Sequence, residues 1–451
     1  MNQLNSTSAA VAAVDQRLPL LQMILVSFQH VLLMYGGAVA VPLIIGEAVG
    51  LSREEVAFLI TADLLVAGIA TLVQSLGIGP MGIRMPVMMG ASFAAVGSMV
   101  AMAGSPGIGL PGIFGATIAA GFFGMLIAPF MSRIVHFFPP LVTGTVITAI
   151  GLSLFPVALN WAGGGSAASE FGALQYLAIA ALVLLTILLI NRFLRGFWGN
   201  VSVLIGMLLG YLVAGGLGMV DLGGLQQTAW FAVVKPMHFG MPQFHLAPIL
   251  SMCLVVVIIF VESTGMFLAL GKITGQDVTP PMLRRGLLCD AGASFFAGIF
   301  NTFTHSSFAQ NIGLVQMTGV RSRYVTAAAG LILVGLSLLP KAAYLVASIP
   351  PAVLGGAGIA MFGMVAATGI KILQEADIAD RRNQLLVAVS IGMGLAPVVR
   401  PEFFAHLPHW LEPITHSGIA MATLCAVSLN LLFNILGGAE RAALSSPPSH
   451  H

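Results

Sequence analysis

Residues 306–319 read SSFAQNIGLVQMTG, and they set two adjacent amides, Gln310 and Asn311, inside an otherwise apolar part of the chain. Polar side chains in an apolar segment of this kind need a binding or structural reason. The triplet Ser-Phe-Ala at 307–309 also occurs at 92–94, 215 residues earlier and again in a short apolar segment. This recurrence indicates a chain built from two related halves.

The composition places the chain in a membrane. Of its 451 residues, 58% are hydrophobic and 8% are charged, whereas a soluble domain carries about 25% charged residues. The formal net charge of +2 is too small to indicate a nucleic-acid partner. The three cysteines show no spacing typical of a metal site or a disulfide framework, so no cofactor is predicted. Residues 1–17 are polar and carry one basic residue, unlike a signal peptide.

Apolar runs between polar or Gly/Pro breaks predict fourteen membrane segments, since a transmembrane helix needs about 20 mostly apolar residues. The third and the tenth runs are too short to cross as ordinary helices. The fourteen centres lie near residues 32, 66, 93, 123, 148, 182, 208, 258, 291, 312, 331, 360, 390 and 425.

The basic residues indicate the orientation of these segments. With both termini inside, 14 of the 18 lysines and arginines fall in inner segments, and 4 fall in outer loops, at Arg53, Lys235, Lys341 and Arg400. An excess of positive charge on cytoplasmic loops is the usual pattern of a multi-pass protein. We therefore expect a protein of the cell inner (plasma) membrane with both termini in the cytoplasm.

A second recurrence supports two halves. Residues 138–142 (Phe-Pro-Pro-Leu-Val) resemble residues 349–353 (Ile-Pro-Pro-Ala-Val), 211 residues apart, and each should open an apolar helix. Because seven segments per half is an odd number, the second half is expected to be inverted. The predicted fold class is an all-α polytopic membrane protein with fourteen segments in 7+7 inverted repeats. Short, interrupted segments at matching places of such halves are where transporters bind their substrates.

Few ionisable residues lie inside the predicted spans. Glu262 is mid-span and must face a partner or a water-filled cavity. Asp290, in the ninth span, could carry protons or could tie down the backbone of a broken helix. His30, in the first span, could relay protons, but a neutral hydrogen-bonding strut is the favoured interpretation. Asp63, near the outer end of the second span, is interpreted as a snorkelling or packing residue without a role.

The two amides of the tenth segment should face different surroundings. If the backbone there is extended, neighbouring side chains point to opposite faces, so either Gln310 or Asn311 would face a ligand. Phe93, in the matching third segment, could offer an aromatic face to a planar ligand.

The G-x-G-x-x-G pattern at 107–112 lies in an outer loop without the strand and helix of a dinucleotide site. No hydrolase motif is present, so no enzymatic activity is predicted.

The motif at 310–319 resembles the Q-N-x-G-x-x-x-x-T-G signature of the nucleobase–ascorbate transporter family. The resemblance covers residues 18–437, and further matching positions are Gln29, His30, 90–93, Glu262 and Asp290. It implies a short strand with a half-helix in segments 3 and 10, a homodimer, and proton symport by an elevator-like movement. The implied division is an N-terminal tail at 1–17, a core at 18–134 and 246–340, a gate at 135–220 and 341–437, an outer loop at 221–245 and a C-terminal tail at 438–451.

The resemblance also implies roles for single residues. Glu262 and Gln310 would hold the edge of a base while Phe93 stacks on it, and Glu262 and Asp290 would couple transport to protons. The residues that would support the site are Asn311, His30, Ser92 and Gly313. One departure is Met266, four residues after Glu262, where many relatives carry His or Asp. A coupling role of that position does not transfer to this chain.

The predicted function is import of an oxidised purine, urate and/or xanthine, by proton symport. Gln at the first signature position and Gly after the Thr are similar to urate and xanthine carriers, whereas uracil carriers tend to place Glu and a basic residue there. The predicted partners are the purine, the proton, the lipid bilayer and a second copy of the chain. The alternatives are a uracil or other nucleobase carrier and a sulfate-type anion carrier of the same fold. Glu262 argues against the anion carrier.

Overall fold

The computed structural model describes residues 13–134, 137–166, 168, 170–408 and 411–436. Its helices are α1 (Leu20–Ala38), α2 (Ala40–Val49), α3 (Arg53–Leu76), α4 (Phe93–Gly104), α5 (Gly109–Ile127), α6 (Met131–Ile134), α7 (Pro140–Ser153), α8 (Phe155–Ala162), α9 (Leu174–Phe193), α10 (Phe197–Asn200), α11 (Ser202–Gly216), α12 (Leu246–Thr274), α13 (Pro280–Ile299), α14 (Ala309–Thr318), α15 (Arg323–Ser337), α16 (Pro340–Ala347), α17 (Pro351–Leu373), α18 (Arg381–Val399), α19 (Glu412–Thr415) and α20 (Gly418–Asn430). The strands of this described part are β1 (Met89–Ala91) and β2 (His305–Ser307).

The described part contains eight helices, some continued across a short break, that are long and apolar enough to cross a membrane. A ninth span results if α15 and α16, which meet at an angle of 84°, are taken together. Every one of the fourteen predicted centres lies within a helix, which confirms a polytopic all-α protein. How many of these helices cross the membrane stays a prediction.

The third and tenth segments are half-helices, as their short apolar runs suggested. Helix α4 has 12 residues and α14 has 10, which corresponds to about 18 and 15 Å at 1.5 Å per residue. Neither reaches across a hydrocarbon core of about 30 Å. Each follows one of the strands, and the two strands pair antiparallel, with Met89 opposite Ser307, Gly90 opposite Ser306 and Ala91 opposite His305.

The described helices pack in two groups. The first group contains α1–α5 and α12–α16, and the second contains α7–α11, α17, α18 and α20. In the first group α3 packs on α15 and α5 packs on α13. The second segment of each half therefore packs on the fourth segment of the other half, as two inverted halves require. In the second group α7, opened by Pro140, packs on α17, opened by Pro351, which confirms that each Pro-Pro pair begins a helix.

Glycines bring the central helix of each group close to its partner. A Cβ atom on Gly68 of α3 would lie 2.7 Å from the carbonyl oxygen of Gly330 on α15, and one on Gly144 of α7 would lie 2.8 Å from that of Gly369 on α17. Such contacts allow backbones to approach as far as van der Waals packing permits. Larger side chains at these four positions would force the helices apart.

Candidate functional site

The two half-helices begin at opposite ends of the strand pair. An antiparallel pair of three-residue strands is about 10 Å long, so the starts of α4 and α14 lie near each other in the middle of the first helix group. Each start carries unpaired backbone N–H groups and a partial positive charge. The Ser92 hydroxyl caps α4 by accepting from the Ala94 N–H at 3.3 Å. Carbonyl oxygens or an anion would be favoured at this place.

The backbone at the two amides is helical and not extended, because α14 already begins at Ala309. Gln310 and Asn311 lie in its first turn and still face different surroundings, since neighbouring helical residues point about 100° apart. Gln310 is exposed, whereas Asn311 is 1% exposed. The Asn311 amide donates to the His30 carbonyl oxygen at 3.0 Å and lies 3.1 Å from His30 Nδ1. Asn311 thus holds α14 on α1, and Gln310 is the amide open to a ligand.

His30 is buried and lies within hydrogen-bonding distance of Asn311. Because the Asn311 amide nitrogen faces a carbonyl oxygen, it is a donor, and the Nδ1 atom beside it acts as the acceptor. The ring is therefore neutral, with its hydrogen on Nε2. The strut interpretation agrees with this geometry.

Asp290 ties three elements together. Its Oδ1 atom accepts from Gln74 Nε2 on α3 at 3.0 Å and from the Ser307 hydroxyl on β2 at 3.3 Å. Gln74 also donates to the Gly286 carbonyl and accepts from the Ile83 N–H. These bonds make Asp290 a brace for β2, which directly precedes the half-helix of Gln310. Sequence reasoning missed Gln74, since a single amide near the end of a span has no distinguishing pattern.

Glu262 lies on α12 at the boundary between the two helix groups. With Ile258 and Val261 it lines one side of a cavity of about 10 Å³, and the opposite side is formed by Phe138, Thr143, Val146 and Ile147 from α7 and the residues before it. Such a cavity holds about one water molecule. A planar ligand can reach the Glu262 carboxyl from this side only if the two groups separate.

The repeated Ser-Phe-Ala triplets have diverged in their packing. Phe308 is buried, and a Cβ atom on Gly90 or Gly37 would lie 2.6 or 2.9 Å from its ring. Phe93 is only half-buried, and its ring meets Phe362 of α17 edge-on at 5.8 Å. Phe93 is thus the aromatic ring at the boundary between the groups. Gly313, one turn after Gln310, is exposed, and a Cβ atom there would meet open space.

The interpretation of Asp63 as a snorkelling or packing residue is wrong. Asp63 is 1% exposed, accepts a hydrogen bond from the Thr302 hydroxyl at 2.8 Å, and lies 3.5 Å from His305 Nε2. His305 lies in β2 and is fully buried. The two residues are far apart in the sequence, so no local pattern could have paired them.

Comparison with known proteins agrees with this architecture. Residues 21–403 match the model of a family described as a permease family. The chain is 51% identical to the uric acid transporter UacT of Escherichia coli over 423 residues, covering 93% of this chain and 88% of that protein. It is 43% identical to the xanthine permease of Bacillus subtilis over 413 residues, covering 92% and 94%.

Two solved structures share the fold at low sequence identity. The first is the transmembrane domain of the cyanobacterial bicarbonate transporter BicA, with a TM-score of 0.57 and 16% identity, covering 92% of this chain and 99% of that one. The second is SLC26A9, with a TM-score of 0.59 and 14% identity, covering 90% of this chain and 65% of that one. The fold and site define a multi-pass membrane permease rather than an enzyme. The chain belongs to the permease family of nucleobase–ascorbate transporters.

Proposed function

We propose that this permease imports an oxidised purine, urate and/or xanthine, in symport with protons. The observation that carries the proposal is the exposed amide of Gln310 at the start of α14, while its neighbour Asn311 is fixed to the scaffold. Relatives that cover most of the chain are named as uric acid and xanthine transporters, which supports the same substrate class here.

The chemistry of the site fits such a ligand. An oxidised purine presents ring N–H donors beside carbonyl acceptors, and the Gln310 amide both donates and accepts. The Glu262 carboxylate accepts from a ring N–H, the helix starts favour carbonyl oxygens, and Phe93 offers a ring for stacking. Sulfate has no N–H group that could donate to Glu262, so this side chain favours a purine over sulfate.

Competition for uptake tests this proposal. In cells without their own purine transporters, expression of the chain should produce uptake of radiolabelled xanthine that unlabelled urate inhibits. Excess uracil, adenine or sulfate should inhibit it weakly. Strong competition by uracil would indicate the broader nucleobase carrier. Sulfate uptake without xanthine uptake would overturn the purine proposal in favour of the anion carrier.

We further propose that the first helix group is a core that moves against the second group, the gate, in an elevator-like manner. The cavity beside Glu262 supports this, because a purine cannot enter it while α7 and α12 stay in contact. Another support is Glu47 on α2 of the core. Its carboxylate accepts from the Trp161 indole N–H and from the backbone N–H and hydroxyl of Ser166, at 3.2 and 3.1 Å, all in the gate.

Chemical cross-linking of this contact should arrest transport. With Cys253, Cys289 and Cys425 replaced, Glu47→Cys combined with Ser166→Cys is expected to lose uptake after treatment with a short bis-methanethiosulfonate reagent, which joins the two thiols through reducible disulfides and releases methanesulfinate. Reduction should restore uptake, because the cross-link only prevents the two groups from separating. The two single-cysteine variants are the controls. Full uptake by a cross-linked double variant, verified by mass spectrometry, would contradict movement between these residues.

The orientation proposed from the basic residues has its own test. On the same cysteine-free background, Asn383→Cys beside Arg381 and Arg382 should resist an impermeant thiol reagent in intact cells and react in opened cells. Gln226→Cys, exposed in the loop before α12, should react in both. Labelling of the Asn383 position from outside would contradict cytoplasmic termini and the inner-membrane topology.

A homodimer is proposed as well. Only 22% of the apolar stretch of α9 and of α18 is buried within the chain, so these helices of the gate are free to meet lipid or a second copy. The mass of the purified protein in detergent tests the proposal.

A further inference from the structure

The chain buries an acid–imidazole pair outside the substrate site. Asp63 on α3 and His305 on β2 are 1% and 0% exposed, and His305 Nε2 lies 3.5 Å from Asp63 Oδ1. The hydroxyl of Thr302 donates to the same carboxyl oxygen at 2.8 Å. Asp63 Oδ2 is buried without a hydrogen-bond partner among the described residues.

His305 Nε2, like Asp63 Oδ2, is buried without a hydrogen-bond partner among the described residues, and the contacts of the imidazole favour a proton held between the two side chains. His305 Nδ1 is 2.7 Å from the Phe303 carbonyl oxygen, and a carbonyl oxygen only accepts, so Nδ1 carries a hydrogen. In a neutral ring Nε2 is then an acceptor. An ionised Asp63 would place a second acceptor opposite it in a fully buried site. One additional proton, on Nε2 or on the carboxyl, removes this conflict and leaves the pair with no net charge.

This pair lies where it can fix the strand that leads to Gln310. The chain leaves α13 through Asn301, whose φ of 57° is in the left-handed region, and turns toward β2 through residues 302–304, which form no helix or strand. Asp63 holds Thr302 and faces His305, at the two ends of this turn. His305 also pairs with Ala91 of β1, and its backbone N–H donates to the Ser294 hydroxyl at 3.1 Å. A shift of His305 would therefore displace β2 and the start of α14.

Two other ionisable groups near the pair have partners of their own. Asp290 is bonded to Gln74 and Ser307, and His238 stacks on Phe58. The titratable groups on α3 and on the elements packed against α3 and β2 are Arg53, Glu54, Glu55, Glu47, His238, Cys253, Glu262, Lys272, Arg284, Arg285, Cys289, Asp290, Arg323, Tyr324, Lys341 and Tyr344.

We propose that Asp63 and His305 are a positioning pair which holds one buried proton, and that this proton keeps β2, and with it Gln310, in place for substrate binding. Loss of the proton at alkaline pH leaves a buried carboxylate whose charge is not balanced by His305, and an apolar interior tolerates such a charge poorly. The turn at 302–305 must then shift or take up water. Substrate binding should consequently weaken as the pH rises, independently of Glu262.

Binding of radiolabelled xanthine to purified protein tests the positioning role, which rests on the proposed function. The measurement uses a Glu262→Gln background, so that the Glu262 carboxyl does not titrate. The dissociation constant of xanthine should then rise about tenfold from neutral to alkaline pH. This is the change expected when one hydrogen bond to a charged group is lost. Adding Asp63→Asn should abolish this rise, because its amide donates to Nε2 at every pH. Adding Asp63→Ala should weaken binding at all pH values. Equal binding with and without Asp63→Ala would overturn the positioning role.

Infrared spectroscopy tests the proton itself and needs no substrate. Spectra at neutral minus alkaline pH should show a protonated carboxyl or an imidazolium band that Asp63→Asn lacks and the exposed-loop control Asp377→Asn retains. If the band is unchanged in Asp63→Asn, the pair holds no proton and the inference fails. Absence of xanthine and urate binding by the unmodified protein would instead contradict the proposed function, while the infrared result would still decide the proton.

Discussion

Replacement of Gln310 by Glu is expected to reduce uptake of radiolabelled xanthine and urate about 100-fold, with the protein still inserted in the membrane. The amide at the start of α14 both donates to and accepts from a ligand, whereas a carboxylate only accepts. The variant leaves a carbonyl group of the bound base without its donor and places a second negative charge near Glu262. An unpaired buried polar group costs about 1–3 kcal/mol, and the repulsion adds to this cost.

The chain offers a matched control for this substitution. Gln316 lies on the same half-helix and is also exposed, so Gln316→Glu adds the same charge to α14 without touching its first turn. We expect Gln316→Glu to keep most of the uptake. Undiminished xanthine and urate uptake by Gln310→Glu, at equal amounts of protein in the membrane, would remove Gln310 from the proposed site.

Glu262→Gln is expected to bind substrate but not to concentrate it against a gradient. Gln resembles the protonated form of Glu262, and a carboxyl group in an apolar environment of low dielectric constant favours its neutral form. An anionic substrate such as urate would repel an ionised Glu262, so the proton and the substrate should favour each other's binding, as linkage requires. With Met266 one turn further on, this face of α12 has no titratable neighbour of Glu262. Glu262 is therefore proposed to carry both tasks.

Two measurements on the same variant separate binding from coupling. Accumulation driven by a proton gradient should disappear in Glu262→Gln, whereas binding of radiolabelled substrate to the purified variant should persist and keep only the pH dependence that is assigned to Asp63 and His305. Asp290→Asn and His30→Asn should be milder, because both residues brace the half-helix or its strand. If Glu262→Gln still accumulates substrate with normal pH dependence, Asp290 becomes the leading candidate for the proton site.

The candidate site also shows which features a local sequence pattern can predict. Gln310 and Asn311 could be recognised as unusual from the sequence, because two amides in an apolar run stand out without any knowledge of the fold. Which of them faces the scaffold depended on His30, in a helix at the other end of the chain. The run is too short to show a helical period, so the local pattern did not decide between an extended and a helical backbone, and α14 starts one residue before Gln310.

The sequence by itself determined that this protein is a multi-pass membrane protein, where its apolar segments lie, and that its two halves are related. These properties follow from composition and from local apolar runs, since each segment must satisfy its own backbone hydrogen bonds in lipid. Only the tertiary structure decided that Phe308 is buried while Phe93 meets the other helix group, and that Asp63 faces His305. The sequence around an identical triplet or an isolated ionisable residue does not predict which side chains it contacts. Those side chains come from helices distant in the sequence, and helix packing decides which of them meet.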